Sequence, residues 1–95
     1  MPEVTGKVTR INIKGYGQNS GHLQFVVGGE HFLVTMCPEY EPQVFIVMAN
    51  LVISAFNSGH RVTVNYKTVP REANRPTEIE VSDVGGSENR KAKKR

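Results

Sequence analysis

The chain has 95 residues, 38% of them apolar and 22% charged, which fits one small domain with a modest core. A single cysteine, Cys37, excludes an internal disulfide. The start MPEVTGKVTR lacks the basic-then-apolar pattern of an export signal, so the expected compartment is the cytoplasm. The net charge of +3 is unevenly placed: residues 85–95 hold five Lys/Arg against one Glu, and residues 1–84 hold seven Lys/Arg against eight Asp/Glu, so the body is nearly neutral.

Val4 to Lys14 reads as the first strand, with apolar residues Val4 and Val8 and then Ile11 and Ile13. Alternation cannot change phase without an extra residue, so a β-bulge is predicted near Thr9–Arg10. GYGQNSG (15–21) reads as a loop; a dinucleotide-binding loop is rejected there because a strand follows where a helix would be required. His22 to Gly28 alternates Leu23, Phe25 and Val27 inward, and Gly28-Gly29 marks a tight hairpin into His31 to Cys37.

Pro38 ends the third strand, and Pro42 suits a first helical turn, where its missing N–H is not needed. Residues 43 to 58, QVFIVMANLVISAFNS, then form the most informative stretch of the chain. Eleven of its sixteen residues are apolar and none is charged. At 100° per residue, Gln43, Asn50, Ser54, Asn57 and Ser58 fall within an arc of about 100°, leaving roughly 260° apolar. The run is too short, and interrupted by Asn50, to span a bilayer. Gly59 fits a helix C-cap. Arg61 to Thr68 and Thr77 to Val84 read as the last two strands, separated by the polar loop VPREANRP (69–76). Residues 1–84 make one domain, and 85–95 a disordered basic tail too poor in apolar residues to order itself.

The predicted order is β-β-β-α-β-β: mainly β with one helix. It matches a five-stranded Greek-key barrel of the oligonucleotide/oligosaccharide-binding (OB) type. The competing arrangement is an open antiparallel sheet packed on one helix, and the barrel is preferred. CPEYEPQVFIVMANLVISAFNSGHRVTVNY (37–66) resembles the B subunits of bacterial AB5 toxins, the subtilase-cytotoxin type in particular. Pro38 and Tyr40 before the helix, and Ser58-Gly59-His60-Arg61-Val62 after it, carry the resemblance. It implies an OB fold, a ring-shaped oligomer with helices at its centre, and glycan binding. This chain is expected to depart from that group in lacking a leader and a disulfide and in adding a basic tail.

In such a barrel, ligands bind the outer face of the second and third strands and the flanking loops. The candidates there are Tyr16, Gln18, Asn19, His22, Gln24, His31, Leu33, Thr35, Arg71 and Arg75. Tyr16 would stack a base or sugar, the amides would give directional hydrogen bonds, and the arginines would meet phosphate or carboxylate. The plain alternative is that these are the polar outward residues any barrel needs. Lys7, Arg10, Lys14, Arg61 and Lys67 form a second candidate patch, also readable as a solvated edge that resists aggregation. Ile46, Ala49 and Ile53 are expected to form an interface between copies, because a barrel end covers only about half of a helix.

The three histidines lack metal-ligand spacing and no catalytic triad, paired carboxylates or phosphate loop is evident, so neither metal, cofactor nor enzymatic activity is expected. The expected function is a non-enzymatic OB module that binds single-stranded nucleic acid as a homo-oligomer. RKAKKR (90–95) would add salt-sensitive affinity. A glycan-binding ring subunit and a structural or assembly subunit remain alternatives.

Overall fold

The computed structural model describes residues 2–17, 20–36 and 39–81. It contains β1 (Glu3–Gly17), β2 (Ser20–Val27), β3 (Glu30–Met36), α1 (Pro42–Ser58), β4 (Arg61–Lys67) and β5 (Arg75–Val81). The strands pair antiparallel in one sheet of order β3-β2-β1-β4-β5. β1 reaches further than the alternation suggested, taking in part of GYGQNSG. β5 starts two residues before Thr77, so Arg75 lies in a strand and not in a loop. The tail at 85–95 lies outside the described residues.

β1 divides its partners. Glu3 to Lys7 pair with β4, and Val8 to Gly17 pair with β2. The register shifts between Val8 and Arg10, which is the predicted bulge: Thr9 is the extra residue that lets Val8 and then Ile11 point toward the same core. Ile13 shares that inward phase yet stays 49% exposed among the described residues.

Strict alternation buries Leu23, Phe25 and Val27 on β2, Phe32 and Val34 on β3, and Val62, Val64 and Tyr66 on β4. Phe25 and Phe32, cross-strand partners, stack with ring centroids 5.0 Å apart, and Tyr66 meets Phe32 edge-on at 5.1 Å. Helix α1 begins with Pro42 after the extended Glu41 and ends at Gly59, whose φ of 75° is left-handed and whose N–H donates to the Ala55 carbonyl. It buries Phe45, Met48, Ala49, Val52 and Ala55, spaced three or four apart or adjacent on one face, against the sheet. Burying Phe45, Met48 and Val52 contributes about 1.5–3 kcal/mol each.

The sheet is open, which corrects the expected OB-type barrel. Edges β3 and β5 meet at one isolated bridge: Leu33 N–H donates to the Asn74 carbonyl and Asn74 N–H to that of His31. Among the described residues no strand ladder continues from there. Two local causes are visible. Pro76, second in β5, has no N–H to offer a ladder, and Tyr40 takes the next edge position, its N–H donating to the Thr35 carbonyl. The resemblance of residues 37–66 to toxin B subunits falls with the barrel, since those subunits are closed OB folds. The nucleic-acid and glycan readings, which rested on that barrel, fall with it too.

Candidate functional site

The register of β1, β2 and β3 arranges their outward side chains in three rows. They are Arg10–Val26–His31, Asn12–Gln24–Leu33 and Lys14–His22–Thr35. Strands lie about 4.8 Å apart and alternate residues about 6.8 Å apart, so the rows form a surface patch of small-molecule width. None of its nine residues is acidic. In the first row the short Val26 stands between two long side chains, and a hollow of about 280 Å³ opens there. Arg10, Asn12, Gln24, Val26, His31 and Ala73 line it, over Ile11, Phe25 and Phe32.

Asn74 holds the Ala73 wall in place. Its backbone makes the two bonds to β3, and its Nδ2 donates to Glu30 Oε1 (3.2 Å) and to the His31 carbonyl (3.1 Å). Glu30, the nearest acid along β3, is thereby engaged outside the hollow. Asn12 Nδ2 donates to Gln24 Oε1 at 3.1 Å, which leaves the Gln24 amide N–H groups directed elsewhere. The Arg10 guanidinium and the His31 imidazole make no hydrogen bond or ion pair with any described residue.

The expected site residues are scattered by this geometry. Gln24 and His31 enter the hollow; His22, Leu33 and Thr35 lie on the same face, outside it. Arg71 is exposed in the β4–β5 loop with φ 64°, the only positive φ at a described non-glycine residue, and does not line the hollow. Gln18, Asn19, Cys37 and the side chain of Tyr16 lie outside the described residues.

Arg75 is not available as a ligand group. It is 7% exposed and acts as a clamp: Nε bonds both Glu39 carboxylate oxygens (3.1 and 3.0 Å), Nη2 bonds Glu72 (2.6 Å), and Nη1 bonds the Ala73 carbonyl (2.6 Å). Burial works against its charge, but the bonds to Glu72 and Glu39 outweigh that and hold the guanidinium more firmly protonated than usual. Beside it, Tyr40 Oη donates to the Pro76 carbonyl at 2.7 Å. Burial first, and the neighbouring Glu39 charge second, push the Tyr40 phenol up to about 12, with Arg75 opposing.

The second expected cationic patch is split. Lys7 and Arg61 face each other across β1 and β4, whereas Arg10 and Lys14 lie beyond the bulge on the β2 side. Arg10, Asn12, Val26 and Ala73 are the hollow residues that the strand-two and strand-three reading passed over. The bulge was the available signal: once Thr9 is the extra residue, Arg10 and Asn12 must point outward beside Val26 and Gln24.

A second surface lies on α1, where Val44 (40%), Ile46 (51%), Val47 (58%) and Phe56 (41%) are exposed. The polar arc of the helix faces solvent with an apolar flank on each side. Val44, Val47 and Leu51 border an apolar groove of about 370 Å³ with Gln43, Met48 and Ile79. Ile46, half-buried Ile53 and Phe56 make the other flank. Ala49 is 5% exposed and belongs to the core, so it has no surface to give to a contact between copies.

Among the described residues no group of three or more His, Cys, Asp and Glu gathers as a metal site, and no helix is long and apolar enough to cross a membrane. No protein-family model matches this chain, and no curated protein is detectably similar to it in sequence.

Proposed function

We propose that this chain is a non-catalytic subunit that associates with copies of itself through α1. The observation that carries the reading is the exposure of four large apolar side chains on one helix that has no charge anywhere along it. Each is about half exposed, so covering it gains about 1 kcal/mol, and four on each of two copies gain about 8 kcal/mol at most, when both flanks are covered. Association itself costs about 4–15 kcal/mol, so these side chains by themselves give a contact no tighter than about millimolar. An uncharged face has no electrostatic means of selecting a different partner, and a second copy brings the same face without like-charge repulsion.

Sedimentation velocity on the purified chain tests this. The expected result is a mass above that of one 10.6 kDa chain, rising with concentration. Val47→Glu should return the chain to monomer with its melting temperature unchanged, since Val47 is the most exposed of the four. If Ile46→Glu does the same, both flanks are in contact and each copy touches two others. A wild-type chain that stays monomeric at high concentration refutes the proposal.

A further inference from the structure

We propose that the hollow over β1, β2 and β3 binds a compact organic phosphate, with Arg10 as its anchor. The hollow is on the solvent face of the sheet, so this site does not depend on association through α1.

Three observations support an anion. The nine outward positions around the hollow include Arg10, which lines it, and no carboxylate. Arg10 has no counter-ion among the described residues. The nearest acid along β3, Glu30, accepts from Asn74 Nδ2 and does not line the hollow.

The donor set argues for phosphate. Arg10 and His31 stand two strands apart, about 10 Å at the backbone, with only Val26 between them, and both line the hollow. Gln24 adds an amide from the next row, its carbonyl oxygen already taken by Asn12. A carboxylate has two oxygens to offer, whereas a phosphomonoester has three on its terminal group, enough for the guanidinium fork and a further donor. The guanidinium fork suits two of them in a single plane. The volume, about 280 Å³, lies at the lower limit of small-ligand sites and excludes a bulky ligand. Val26 and Ala73 then pack against the carbon part of the molecule.

The test is a titration of the full-length chain followed by backbone amide chemical shifts, with three probes: glycerol 1-phosphate, glycerol and acetate. Glycerol 1-phosphate should give saturable shifts at Arg10, Asn12, Gln24 and His31, and neither other probe should match them. Arg10→Gln, at an exposed position that leaves the fold intact, should weaken binding at least tenfold. Lys7→Gln, on the β4 side of the bulge, should leave it unchanged. The proposal is overturned by the absence of saturable shifts with glycerol 1-phosphate, by acetate binding as tightly, or by Lys7→Gln weakening binding as much as Arg10→Gln.

Discussion

Arg75 offers the sharpest energetic test, because its burial and that of its partners are unequal. The arginine side chain is 8% exposed, while the Glu39 and Glu72 carboxylates are 43% and 56% exposed. In Arg75→Gln, both carboxylates regain water, so each lost charge-assisted bond costs less than the about 1.5–3 kcal/mol of a fully buried one. With the Ala73 carbonyl also losing its donor, the total is about 2 kcal/mol. The paired substitution Glu39→Gln with Glu72→Gln does the reverse. It leaves a desolvated cation without a counter-charge, for which about 3–5 kcal/mol is usual, the lower end applying here because the amides still accept hydrogen bonds. Removing two partly exposed acids should therefore destabilise more than removing the one buried base. Urea unfolding at a fixed protein concentration reads this directly, as a shift in midpoint at unchanged slope. The reasoning is refuted if Arg75→Gln costs under about 0.5 kcal/mol, the range of ordinary surface changes, or if the carboxylate pair is the milder variant.

Tyr40 predicts an alkaline loss of stability. Its phenol is held protonated in the fold to about 12 against 10.0 ordinarily. The unfolded chain therefore releases that proton first, and the contribution, complete below pH 10, disappears as pH rises to about 12. Tyr40→Phe should cost about 1 kcal/mol at neutral pH through the lost bond to Pro76. Its stability difference from wild type should narrow above pH 10; a gap constant through pH 12 contradicts the assignment. Gly21 and Gly15 are cross-strand partners with opposite tolerance for a methyl group. A Cβ on Gly21 would sit 2.7 Å from the Lys14 carbonyl oxygen, so Gly21→Ala should cost about 1–3 kcal/mol, whereas Gly15→Ala meets nothing within 4 Å and should be near neutral by thermal melting.

Much of the backbone plan could be read from local pattern. The phase change between Val8 and Ile11 located the bulge, the strict alternation of Leu23, Phe25 and Val27 named the core of β2, and Pro42 and Gly59 bounded the helix. The bare flanks of α1 were legible because 260° of apolar surface exceeds what one sheet covers. The barrel was misjudged for a reason of position. Whether β3 and β5 form a ladder depends on which carbonyls and N–H groups of two distant segments remain free, and Tyr40, Asn74 and Pro76 decide that jointly. Arg75 was misread for the same kind of reason: in a polar loop sequence it looks solvent-facing, and only the approach of Glu39 and Glu72 allows it to be buried.

Residue order alone determined the element types, the bulge and the uncharged helix, since each depends on neighbours one to four positions apart. Only the tertiary structure decided the open sheet, the burial of Arg75 and Ala49, and the union of Arg10 with Gln24 and His31 in one hollow. Those outcomes depend on hydrogen-bond partners and side-chain contacts between segments far apart in the chain, where one residue's environment is set by another's side chain and not by its own.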